Sequence, residues 1–310
     1  MSDNLSIILT VGLVATAAGL LGPFLVLRRV ALTSDAVSHA VLPGIVVIWL
    51  IFHTRAPLPV IGGAAVFAIL CVLAIDALKG TNLVRGDAAI ALVFPALFSV
   101  GVLGITRYAS DIHLDLDSTI YGEIAFSPFE TLPIAGVEIA RSIVLLSGVA
   151  LVNILLVVLL WKEFKATTFD PEFSRTIGIS PKLLSRLLLV AVAITAVTAF
   201  ESVGAILVVT LLIVPATTAY LLTDRLWLMV ATTLAIGWIS AVAGYWGAVS
   251  VDASIAGAMG LVAALCFAIA LFVSPSYGLI ARSLQRRRRS RSVQRELALA
   301  VKPQGAGADT

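Results

Sequence analysis

Apolar residues run through this chain in unbroken stretches of membrane length. They fall at 5–27, 36–52, 58–78, 87–106, 141–161, 183–200, 203–222, 226–249 and 254–275. A helix needs about 20 such residues to cross a hydrocarbon layer. The stretches are continuous rather than alternating, which excludes a transmembrane β-barrel. Only 13% of the 310 residues are charged and 60% are hydrophobic, whereas soluble domains carry about a quarter charged residues. The sequence therefore predicts an all-α fold, a polytopic integral membrane helical bundle of about nine transmembrane helices. Met1-Ser2-Asp3-Asn4 lacks a basic leader region, so the first stretch is expected to be a span rather than a cleaved signal. Two places are irregular: the second stretch contains Pro43-Gly44, and the sixth and seventh are separated only by Glu201-Ser202.

The basic residues orient this series. With the N-terminus outside, the inside connections hold Arg28-Arg29, Lys79, Arg85, Lys162, Lys165, Arg175, Lys182, Arg186 and Arg225. The outside connections hold little beyond Arg55, Arg107 and Arg141. Cytoplasmic loops are enriched in Lys and Arg, so the N-terminus is expected outside and the C-terminus in the cytoplasm. That parity needs an odd number of spans; eight would require one re-entrant segment. The transmembrane body is expected over 1–280. A basic cytoplasmic tail follows over 281–310, with Arg286-Arg287-Arg288-Arg289, Arg291 and Arg295. The tail is expected to be disordered and to lie near anionic lipid rather than nucleic acid. Cys71 and Cys266 stand far apart in apolar runs and read as small buried hydrophobes.

Asp35 and His39 stand out against this background. They are four residues apart, on one helix face, at the mouth of an apolar stretch. Ionisable groups in a membrane span are costly and mark ion or substrate paths. A carboxylate with an imidazole suits a divalent transition metal, and imidazole protonation near neutral pH weakens such binding. The bland alternative is a self-satisfied pair, with Asp35 accepting from His39 or capping the helix beside Ser34. Nothing in packing demands an imidazole there.

Two connections are long. The outer one, 107–140, holds His113, Asp115, Asp117 and Glu123. These read as an outer metal-collection point or a docking surface, or else as a solvated acidic loop. The inner one, 162–182, contains a self-delimiting helix: Asp170 as N-cap, Pro171 as first helical residue, Gly178 past its end and Pro181 beyond. A short capped helix between two spans is a natural docking knob.

The segments Gly22 to Arg29, Ser34-Asp35-Ala36-Val37-Ser38-His39-Ala40-Val41-Leu42-Pro43-Gly44, Asp87 to Ile90 with Pro95 to Phe98, Asp170 to Gly178, and Val203 to Ala219 together resemble the permease subunits of metal-ion ABC importers. That family carries manganese, zinc or iron. The resemblance covers about residues 10–275 and excludes the arginine tail. Asp115-Leu116-Asp117 followed by Tyr121-Gly122-Glu123 is more similar to the manganese/iron branch than to the zinc branch. Asp87 departs from the Glu of many relatives, with charge kept.

The resemblance implies a permease that pairs with a second copy or a paralogue. It also implies cytoplasmic ATP-binding subunits and an extracytoplasmic metal-binding protein as partners, in the bacterial cytoplasmic membrane. No resident cofactor is expected, only the transported Mn2+, Zn2+ or Fe2+. The chain is not expected to be an enzyme: no Gly-x-x-x-x-Gly-Lys-[Ser/Thr] occurs in it, so nucleotide would be held elsewhere. Asp35 and His39 are the expected transit site. Asp170, Glu172, Phe173, Arg175 and Gly178 are the expected ATPase-coupling residues. Pro215 is expected to kink a gating helix, and Glu201 either faces the vestibule or sits at the outer surface. Alternatives are a siderophore- or cobalamin-type permease, which needs a wide path without ionisable ligands, and a proton-coupled secondary transporter, which usually shows two similar halves. No internal repeat is evident.

Overall fold

The computed structural model describes residues 3–274 except 41, 54–55, 82, 109–123, 125–130 and 135–136. The helices are α1 (Asp3–Leu27), α2 (Ala31–His39), α3 (Leu42–Phe52), α4 (Pro57–Gly80) and α5 (Gly86–Tyr108). A short hairpin, β1 (Thr131–Ile134) and β2 (Val137–Ala140), precedes the second half. That half comprises α6 (Arg141–Leu159), α7 (Trp161–Phe169), α8 (Pro171–Thr176), α9 (Pro181–Val203), α10 (Ala205–Leu222), α11 (Leu226–Val251) and α12 (Ile255–Val273). Among the described residues, nine segments are long and apolar enough to cross a membrane. They coincide with the nine stretches read from the sequence to within a few residues.

Four local details differ from the sequence reading. The second span starts at Ala31 rather than at 36 and is two half-helices, α2 and α3. Pro43 favours the interruption: it has no amide to bond back to the His39 carbonyl, and a proline is tolerated in the first turn of a helix, where it stands in α3. The next boundary is displaced as well. Helix α9 continues through Glu201 and Ser202 to Val203, and the turn falls at Gly204, with φ 81°. Only glycine adopts that backbone cheaply. The outer connection is not loop throughout, because β1 and β2 pair antiparallel, Thr131 opposite Ala140 and Ile134 opposite Val137. Finally, the inner connection holds two helices, α7 and α8, where the sequence suggested one.

Helix α1 is the hub. It packs on α6, α9, α10 and α11, and 72% of its span is buried inside the protein. Small residues permit the close approaches, which matter in lipid because apolar area alone drives no association there. A side chain at Gly22 would collide with the Leu212 carbonyl of α10. Gly44 of α3 lies as close to the backbone of Gly63 in α4. One buried cluster gathers Phe24, Phe164 and Leu188 at the end of α1 that leads into α2; another gathers Val11, Leu146, Leu207 and Met259 towards the opposite end. Several polar side chains inside the bundle are paired, as an apolar medium favours. Asn153 of α6 donates to the Ala17 carbonyl of α1 (3.0 Å) and to Thr195 Oγ1 of α9 (2.8 Å). Trp238 Nε1 donates to Thr16 Oγ1 (3.1 Å).

Candidate metal-transit site

Helix α2 carries Asp35 and His39, and His39 is its last residue. The N-cap position is Val30, with no side-chain cap bond, and the Ser34 hydroxyl donates to the Ala31 carbonyl (2.7 Å). Asp35 therefore does not cap the helix. Its Oδ1 lies 3.6 Å from His39 Nε2, and the two side chains are 42% and 33% exposed respectively. That separation is longer than a hydrogen bond and within ion-pair reach when the imidazole is protonated. Both side chains are partly exposed.

The walls of this site come from elsewhere in the chain. The His39 ring stands 5.6 Å from Phe94 of α5 and 6.1 Å from Phe200 of α9, centroid to centroid. Phe98 extends the row, 6.0 Å from Phe94. Both contacts are tilted ring pairs, within the spacing at which aromatic rings attract. Sequence reading did not single out Phe94 or Phe200 as site neighbours. Nothing distinguishes them locally from the other aromatics in apolar runs. Among the described residues no group of three or more His, Cys, Asp and Glu is placed to hold a metal. Asp35 and His39 thus offer two ligands, an incomplete shell.

The other residues singled out in the sequence are dispersed. His113, Asp115, Asp117 and Glu123 lie outside the described residues, as do the arginine tail and the side chain of Glu201. Pro215 is buried inside α10, where its missing amide leaves the Leu211 carbonyl without a helical donor. His53 ends α3 with φ 48°, exposed, its ring 5.3 Å from Trp49.

The inner connection forms as its caps dictate. Asp170 Oδ1 accepts from the Phe173 amide (2.9 Å), Pro171 opens α8, and Gly178 takes φ 82° two residues past its end. Ser174 is buried while Glu172, Phe173, Arg175 and Gly178 all face outward. Pro181 does more than stop the preceding segment: it opens α9, with Ser180 as N-cap.

Beside this knob sits a residue that the sequence reading counted only as an orienting charge. Arg28, in the turn between α1 and α2, is inserted against α7 and α9. Its guanidinium donates to Thr167 Oγ1 (2.6 Å), Thr168 Oγ1 (2.9 Å), Ser185 Oγ (2.9 Å) and the Phe164 carbonyl (3.4 Å). It also lies 5.4 Å over the Phe164 ring. Burial pulls its pKa down to about 10, so it remains a cation at neutral pH. On the other flank of α2, a cleft of about 250 Å3 opens between α2, α4 and α9, lined by Val30, Thr33, Asp76, Lys79, Lys182 and Arg186 among others. Arg186 bridges it, donating to Asp76 Oδ2 at 3.0 and 3.3 Å.

Residues 4–274, nearly the whole described chain, match the ABC 3 transport family. The chain belongs to that family. Two relatives show how closely. It is 39% identical over 299 residues to the manganese transport system membrane protein MntD of Bacillus subtilis, covering 96% of this chain and 100% of that one. It is 40% identical over 281 residues to the zinc transport system membrane protein TroD of Treponema pallidum, covering 91% of this chain and 77% of that one. Among solved structures, PsaBC from Streptococcus pneumoniae in complex with Fab superposes with a TM-score of 0.76 at 28% identity, covering 93% of this chain and 96% of that one. With nine candidate spans and this membership, the ABC 3 protein is a multi-pass protein of the bacterial plasma membrane and a permease subunit rather than an enzyme.

Proposed function

We propose that this chain is the translocation subunit of an ATP-driven importer of divalent transition metal ions, with Mn2+ as its first cargo and Zn2+ or Fe2+ as alternatives. The observation that carries the reading is the Asp35–His39 pair. It is a partly exposed carboxylate and imidazole, 3.6 Å apart on the first half-helix of a membrane-length span, with the imidazole ring beside Phe94 and Phe200. A bare divalent ion is stabilised there by charge from Asp35 and a nitrogen from His39. Two ligands hold it weakly enough for release, as transport demands. A bulky metal chelate would have no use for such a pair.

The remaining parts follow the same logic. Arg28, Lys79, Lys182 and Arg186 gather around one end of α2, α4 and α9, which supports an inside position for that end. The outward-facing residues of α8, Glu172, Phe173 and Arg175, are then presented to cytoplasmic ATP-binding subunits. A second permease copy completes the path, and an extracytoplasmic binding protein delivers the ion.

Uptake of Mn2+ by cells expressing the complete importer tests this. Asp35→Ala and His39→Ala should each abolish uptake while membrane abundance is unchanged, and Zn2+ and Fe2+ competition ranks the cargo. Undiminished uptake in both variants would refute the assignment.

A further inference from the structure

The Arg28 side chain ties α7, the helix that leads into the docking knob, and α9 to the turn from which the half-helix with the proposed ligands starts. Every hydrogen-bond acceptor around it is neutral: two threonine hydroxyls and a carbonyl of α7, and one serine hydroxyl of α9. Among the described residues no carboxylate pairs with it. A planar fork with fixed donor directions registers position in a way that a lysine's point charge does not.

The backbone on either side is short and stiff. The Arg28 amide bonds the Phe24 carbonyl (3.0 Å), the Val30 amide bonds the Leu25 carbonyl (3.0 Å), and Arg29 is held at φ 57°. Helix α2 begins at Ala31, directly after this turn. The turn is thus clasped to α7 through Thr167 and Thr168, and to α9 through Ser185, which also lines the 250 Å3 cleft next to Val30 and Thr33. The start of α2 is held by one side chain that reaches two other helices. At its far end the same half-helix terminates in His39, beside Phe200 of α9, so a shift at Arg28 changes how the pair meets its aromatic walls.

We propose that Arg28 is a positioning residue that couples displacement of α7 and α8 to the half-helix carrying Asp35 and His39. The inference rests on the transport reading for what is being moved, and on the geometry alone for the mechanical link. Rigid elements joined by a packed polar network are the physical means by which distant sites bias one another.

The test uses the reconstituted importer with its ATPase and binding protein, and compares Arg28→Lys with the double variant Thr167→Val, Thr168→Val. Mn2+ accumulated per ATP hydrolysed is expected to fall about tenfold in Arg28→Lys, with assembly and hydrolysis retained, since a lysine keeps the charge but not the fork. The double variant, which keeps Arg28 and removes its acceptors, should fall in the same ratio. A parallel loss of uptake and hydrolysis, an unchanged ratio, or failure of both variants to assemble would overturn the proposal. Hydrogen exchange separates it from the transport reading. Arg28→Lys should raise exchange in 29–39 together with 161–169, even if the unsubstituted complex moves no Mn2+, a result that would refute only the importer assignment. Unaltered exchange in 29–39 would refute the coupling.

Discussion

Helices α1 and α5 differ little in apolar character, yet 72% of the α1 span is buried within the protein and only 11% of the α5 span. The difference lies in what each helix offers a neighbour. Helix α1 presents Gly12, Gly19 and Gly22 to side chains and backbone of α10 and α11, and five of its residues from Leu21 to Leu25 are buried. Helix α5 turns Leu92, Val100 and Leu103 outward and contributes Phe94 to the site. In lipid an exposed leucine costs nothing, so hydrophobicity does not separate core from periphery; close packing and polar pairing do. Helix α1 is thus enclosed by α6, α9, α10 and α11, whereas α5 lies at the edge of the group α2 to α5 that holds the proposed ligands.

Three substitutions and one control substitution would break or sharpen that contrast, beyond the uptake and coupling experiments above. The largest effect is expected from Phe24→Ala. Phe24 is fully buried against Trp161 and Phe164, and removing a buried phenyl costs about 3–5 kcal/mol. Thermal unfolding in detergent should register it as a marked loss of stability. An intermediate effect is expected from Gly22→Ala. Its new methyl would meet the Leu212 carbonyl and Ala216, at a cost of about 1–3 kcal/mol. Gly62→Ala, with open space around it, serves as the control and should be neutral by the same measurement. The smallest is expected from Leu103→Ala on α5, 68% exposed, which should change the stability of the isolated chain by less than about 0.5 kcal/mol. Measured again in the assembled importer, a clear destabilisation by Leu103→Ala would show that the second permease copy covers α5; no change there would place that copy on another face.

How much was legible in advance depends on how local the cause was. The nine spans follow from continuous apolar runs. The α8 knob follows from Asp170, Pro171 and Gly178, each acting within a few residues. Asp35 and His39 stand out as candidates because ionisable groups in an apolar, span-length run are out of place, and the proposal that they bind the ion rests on that and on their shared helix face. The misplaced boundaries have equally specific causes. Gly204, not Glu201-Ser202, separates α9 from α10, because an isolated glycine in an apolar run gives no warning of its backbone angle. Pro43 divided the second span into two half-helices, because a proline permits a break without requiring one.

By itself, the amino-acid order determined that this chain crosses a membrane repeatedly, where most spans begin and end, and which residues carry charge into the apolar layer. Those features depend on transfer from water and on bonding between near neighbours. Only the tertiary structure decided that α1 is enclosed while α5 is not. It alone brought His39 between Phe94 and Phe200, and inserted Arg28 into hydroxyls of α7 and α9, as far as 157 residues away along the chain. Apolar helices have no water to escape from each other's company, so their arrangement is settled by shape complementarity and a few long-range polar contacts, neither of which is written in any single stretch of sequence.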